Sequence, residues 1–179
     1  MQSDLTTLPN GLRIISASRP GTESVSLGIW INTGSAREEE EINGLSHFLE
    51  HMVFKGTPTR TSFQIDAEIE DAGGQTNAYT SREITSFYAK MLKDDAELAL
   101  DVLADIVLNA SFPDEEVVKE RDVVIQEIKQ TIDTPDDIIF DYLQQQAYTG
   151  QPLGRPILGS IEKVSGFTAD DLRKYRKRF

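Results

Sequence analysis

The chain has 179 residues, 39% of them hydrophobic and 27% charged, with a net charge of −12 and no cysteine. That length suits one domain with its own core, and the missing cysteine excludes a disulfide framework and any thiolate metal site. The acidic balance disfavours nucleic acid and anionic membranes while leaving room for basic peptides. No apolar run approaches bilayer-spanning length, and the first ten residues have neither the basic nor the apolar region of a secretory signal.

Taken in order, Pro9-Asn10-Gly11 predicts a hairpin turn followed by a strand over 12–18. Val25, Leu27, Ile29 and Ile31 alternate with Ser26, Gly28 and Trp30, the period-two pattern of a half-buried strand. Residues 34–43 predict a loop, and its run of four glutamates from Glu38 to Glu41 reads as solvated. Asn43 is placed to cap the helix that follows. A second helix is expected over 62–72, closed by Gly73-Gly74. Residues 75–92, with Tyr79, Phe87, Tyr88 and several threonines, predict strand structure. Asp94 or Asp95 starts a helix running to about residue 109, Pro113-Asp114 another to about 131, and a further helix covers 136–148. Thr168 caps a last helix over 169–177, and the chain stops inside that helical pattern, as a fragment of something longer would. Helices and strands mix without strict alternation, so the expected class is α+β: a mainly antiparallel sheet with helices on one face, incomplete at the C-terminus.

Both histidines fall in one short run, His47-Phe-Leu-Glu-His51. At 3.6 residues per turn, positions i and i+4 share a helix face, so the two imidazoles point the same way with Glu50 beside them. Two neutral imidazoles suit zinc, and an unligated carboxylate nearby can take a proton from a metal-activated water. The bland alternative, two packed or surface histidines, does not ask for this spacing or for a glutamate between them.

A catalytic zinc usually has three protein ligands. Without cysteine or a third histidine, the remaining ligand is a carboxylate. On the helix from Asp114, the apolar stripe of Val117, Val124 and Ile128 also contains Glu120 and Glu127. A core-facing carboxylate is costly without a partner. One of the two is expected to ligate the metal and the other to orient a ligand. Spacing does not choose between them, and pairing of both with Lys119, Arg121 or Lys129 is the competing explanation.

These segments resemble the inverted-zincin metallopeptidases of the pitrilysin/insulinase family, in particular its processing-peptidase branch. The His-x-x-Glu-His cluster carries the likeness together with Leu8-Pro-Asn-Gly-Leu12, Gly73-Gly-Gln-Thr-Asn-Ala-Tyr-Thr-Ser-Arg-Glu83, Lys119-Glu-Arg-Asp-Val-Val-Ile-Gln-Glu-Ile128 and Leu153-Gly-Arg-Pro-Ile-Leu-Gly159. The resemblance implies zinc (Zn2+) held by His47, His51 and Glu127, Glu50 as general base and Glu120 behind the ligands. It implies a peptide substrate added as a strand at Asn77 and Ala78, with Asp137 and Asp141 matching two acids that take a substrate arginine. It further implies a metalloendopeptidase acting on extended or unfolded peptides, in the bacterial cytoplasm or alternatively the mitochondrial matrix. Residues 1–179 would then be the N-terminal zinc-binding domain, with a second homologous domain or subunit as partner. Without that second half the isolated chain is expected to be weakly active or inactive. A non-catalytic peptide-binding or scaffold subunit is the alternative within the family. A fold-related lyase, S-ribosylhomocysteine lyase, shares the histidine cluster but needs a cysteine that this chain lacks.

Overall fold

A computed structural model describes residues 3–178. The hairpin expected at Asn10 forms between β1 (Ser3–Thr7) and β2 (Arg13–Ala17), paired antiparallel from Ser3↔Ala17 to Thr7↔Arg13. It is exposed along both strands and stands apart from a second, three-stranded antiparallel sheet. That sheet has the order β3 (Ser24–Ile31), β5 (Thr85–Leu92), β4 (Gln75–Thr80). The class is therefore α+β, with seven helices and two separate antiparallel sheets among the described residues.

The alternation read from β3 decides which face is covered. Val25, Leu27, Ile29 and Ile31 pack against the core beside Phe87, Ala89 and Met91 of β5, while Trp30, Tyr79 and Lys90 on the other face are exposed. Over the covered face lie α1 (Leu45–Met52), α2 (Ser62–Asp71) and α3 (Ala96–Asn109). They contribute Phe48, Met52, Ile65, Ile69, Val102, Leu103 and Ile106, all fully buried or nearly so. Each large apolar side chain sealed in this way stabilises the fold by about 2 kcal/mol. Next come α4 (Asp114–Asp133), α5 (Pro135–Ala147), α6 (Ile161–Gly166) and α7 (Ala169–Arg178). The short α6 and strand β1 are not among the elements expected from the sequence.

Helix starts follow local chemistry. Thr61 and Gln64 form a reciprocal capping box on α2, and Thr168 with Asp171 does the same on α7. Asp95 stands at the N-cap position of α3, but its side chain makes no capping bond. Asn43 does not cap α1. That position belongs to Gly44, at φ +103, where an added Cβ would lie 2.6 Å from the Leu158 carbonyl oxygen. Only glycine satisfies both the left-handed backbone and the close approach.

Glu38 does the capping instead. Its carboxylate accepts from the backbone N–H of Ser46 at 2.6 Å, from that of Gly44 at 2.8 Å and from Asn43 Nδ2 at 2.9 Å. Glu38 is 3% exposed, so the expectation that Glu38 to Glu41 are all solvated is corrected at its first member. A negative charge at a helix N-terminus meets unpaired N–H groups and the positive end of the helix dipole, which repays its desolvation.

The loop between α1 and α2 is fastened to α3 by Asp105. Its carboxylate accepts from Thr57 Oγ1 (2.7 Å), Thr59 Oγ1 (2.8 Å), Arg60 Nη1 (3.0 Å) and Asn109 Nδ2 (2.9 Å). Burial works against the charge, but the bonds from Asn109, Thr57, Thr59 and Arg60 outweigh it and hold this carboxyl well below the usual range.

Candidate metal centre

On α1, Leu45, Phe48, Leu49 and Met52 face the core. The opposite stripe carries His47 and His51 one turn apart, their ring centroids 4.7 Å from each other and the rings tilted by 66°. Helix α4 crosses α1 with its own stripe of Val117, Glu120, Val124 and Ile128, all buried. Its polar members meet the histidines. Glu127 Oε2 lies 3.7 Å from His47 Nε2 and 3.4 Å from His51 Nε2. Glu120 Oε1 lies 3.1 Å from Nδ1 of His51. Of the two stripe glutamates only Glu120 is buried, whereas the Glu127 side chain is 43% exposed; the packing separates them further, Glu127 facing both Nε2 atoms and Glu120 the far nitrogen of one ring.

This geometry fits a tetrahedral cation. Ligands about 2.0–2.1 Å from a zinc ion lie about 3.3 Å from one another. The nearest separations here are 3.4 and 3.7 Å, and one atom from each of His47, His51 and Glu127 lies within 4.8 Å of the others. Glu127 Oε2, His47 Nδ1 and Glu50 Oε2 are buried, and no protein hydrogen bond reaches them. Buried oxygens and imidazole nitrogens left unpaired are costly. A divalent ion would satisfy the Glu127 oxygen.

The electrostatics match. Burial, reinforced by the neighbouring His51, lowers the pKa of His47 to about 4, so this imidazole is neutral at ordinary pH. Burial alone would lower His51 too, but the adjoining Glu127 and Glu120 carboxylates outweigh it and raise its pKa. His51 in turn holds the Glu127 carboxyl below its usual range. Glu50 is raised by burial, against a lowering contribution from Thr80 at the end of β4. A carboxylate shifted upward is a better proton acceptor near neutrality.

The other expected residues lie on β4 and α5. Asn77 and Ala78 sit mid-strand in β4, opposite Tyr88 and Phe87 of β5. Among the described strands β4 pairs only with β5, so its outer edge is open. The Ala78 N–H donates to Asn77 Oδ1 at 2.8 Å. Asp137 is exposed on α5, one turn before Asp141. Asp141 is already engaged: Arg82 Nη2 donates to its Oδ1 at 2.9 Å, while Arg82 Nε donates to the Leu153 carbonyl at 3.0 Å.

Two contributors escaped the sequence reading. Thr80 flanks Glu50 from a different element, and nothing local marks it. Lys55 has its Nζ 2.7 Å from Glu120 Oε2. Its signal was present, because 47, 51 and 55 repeat every four residues and share one face.

Residues 13–161 match a family model described as Insulinase (Peptidase family M16). The chain belongs to this peptidase family. Among similar members of the M16 family is the uncharacterized zinc protease YmxG of Bacillus subtilis, 48% identical over 169 residues, 94% of this chain and 41% of that protein. The mitochondrial-processing peptidase subunit beta of Saccharomyces cerevisiae is 44% identical over 168 residues, 94% of this chain and 36% of that one. A crystal structure of a protease from Helicobacter pylori superposes with a TM-score of 0.92 at 25% identity, covering 98% of this chain and 42% of that one. The chain thus spans about two fifths of the length of these M16 relatives. No helix among the described residues is long and apolar enough to cross a membrane.

Proposed function

We propose that this chain is the zinc-binding part of a metalloendopeptidase that hydrolyses extended or unfolded peptides. His47, His51 and Glu127 are the residues to hold the ion, and zinc in that place supplies a Lewis acid that lowers the pKa of water and polarises a peptide carbonyl. Glu50 takes the proton of the attacking water and returns it to the leaving amine, a role helped by its raised pKa. Glu120 accepts from His51 Nδ1 and so fixes the ring with Nε2 toward the ion.

A peptide adds to the open edge of β4 at Asn77 and Ala78, where main-chain hydrogen bonds give affinity with little demand on sequence. Asp137, with Asp141 if Arg82 yields it, offers carboxylates to a basic side chain. A second homologous domain or subunit completes the site, and without it the chain as given turns peptides over weakly or not at all. The setting is the bacterial cytoplasm or the mitochondrial matrix.

The observation that carries this reading is the unpaired, buried Glu127 oxygen standing 3.4 and 3.7 Å from two Nε2 atoms. Elemental analysis of the purified chain tests it. One zinc per chain is expected, with any peptide cleavage blocked by a chelator and lost in Glu50→Gln. A chain that takes up no zinc overturns the reading. Full zinc with chelator-resistant cleavage overturns the mechanism.

A further inference from the structure

The carboxylate of Glu120 has two oxygens and uses both. Oε1 lies 3.1 Å from His51 Nδ1, and Oε2 lies 2.7 Å from Lys55 Nζ. The Glu120 side chain is 8% exposed and that of Lys55 26%. Lys55 ends the single 3-10 turn Val53–Lys55 that continues α1, so His51 and Lys55 reach α4 from successive turns. One turn earlier on α4, Glu116 also feels the Lys55 charge, but its own close partner is Lys119.

We propose that Lys55 is a positioning residue for the metal centre, acting through Glu120 on His51. The inference rests on the zinc reading given above and adds to it. An ionised carboxylate only accepts hydrogen bonds. With the Lys55 ammonium donating to one oxygen, the other is held as an acceptor facing His51 Nδ1, which places the ring hydrogen on that nitrogen. That fixes the neutral ring in one tautomer, with the Nε2 lone pair turned toward Glu127 and the ion. Charge balance points the same way. Glu50, Glu120 and Glu127 carry three negative charges when ionised, which a divalent cation and one ammonium neutralise together. Without Lys55 the buried Glu120 keeps one oxygen unpaired and one charge uncompensated.

The competing explanation is that Lys55 only ties α1 to α4. Two readouts separate the possibilities: zinc affinity by chelator competition, and the side-chain 15N shifts of His51 in the metal-free chain at a pH where the ring is neutral. Lys55→Met is expected to weaken zinc binding about 10- to 100-fold and to reduce the Nδ1–H tautomer of His51. Lys55→Arg is expected to restore both to near the parent values. In a Glu120→Gln background the further loss from Lys55→Met is expected to be small, because the two residues act as one unit. Lys55→Gln, which keeps much of the length and loses the charge, decides the question in the same way where methionine prevents folding. Unchanged zinc affinity in these variants, an unchanged His51 tautomer, or an equal loss with and without Glu120 each overturns the proposal. If the parent chain binds no zinc, the metal reading fails while the tautomer measurement still judges Lys55.

Discussion

His51 Nε2 and Glu127 Oε2 stand 3.4 Å apart, joining α1 to α4 without a direct hydrogen bond on that oxygen. The separation matches the edge of a tetrahedron about a small cation. Glu127→Gln removes the charged ligand and keeps the shape. Zinc affinity is expected to fall about 100-fold or more, since a structural zinc site contributes roughly 10–16 kcal/mol over four ligands. Chelator competition or calorimetry reads this directly, and circular dichroism should show the helices intact.

Glu50→Gln separates holding the ion from using it. Glu50 is not among the three residues that converge on one point, so zinc content should match the parent. In the polypeptide that carries activity, hydrolysis is expected to drop about 10²- to 10⁴-fold, the usual contribution of a positioned proton acceptor. Steady-state rates on an unstructured peptide check it.

Acid should expel zinc in two stages. His47, lowered to about 4, is already neutral at pH 7 and gives up no proton on binding. His51, raised above the ordinary histidine value in the metal-free chain, must lose one wherever it is protonated. Affinity is therefore expected to rise with pH until His51 is neutral and then level off. On the acid side it should fall by up to tenfold per pH unit, and more steeply once His47 protonates near pH 4. Zinc titrations across that range measure the slope.

Asp105 fastens the turn after α1 to α3. Asp105→Asn is expected to cost about 3 kcal/mol near neutral pH, because it leaves Arg60 and two threonines short of an acceptor. The folded-state carboxyl is depressed, so its contribution is complete above the ordinary carboxylate pKa and fades as pH falls toward the folded value. Urea unfolding should show a large deficit at neutral pH and a smaller one in strong acid.

The candidate site was legible where the information is local. Helical periodicity put His47 and His51 on one face, and the apolar stripe of α4 put Glu120 in the core before any packing was known. The choice between Glu120 and Glu127 was not legible from spacing, because it depends on how α4 rotates against α1. Glu38 was misread for a similar reason. Within a run of acids it looks solvated, and only the placement of Gly44 against Leu158 and Gly159 brings the α1 amides to it. Strands β3 and β5 announced themselves through alternation and aromatic content, whereas the split into two sheets depends on long-range pairing that no local pattern encodes. The six-residue helix α6 has too few turns to show a period.

The short bond from Ala78 to the side chain of Asn77 has a bearing on how the molecule survives at high concentration. A bare strand margin invites copies of the same chain to stack, and stacked margins grow into aggregates. By turning one amide inward upon its own neighbour, β4 withholds a foothold from casual visitors while surrendering it to a guest with a better acceptor. Replacing that asparagine with alanine should leave a stickier molecule, one whose light scattering climbs sooner as it is concentrated.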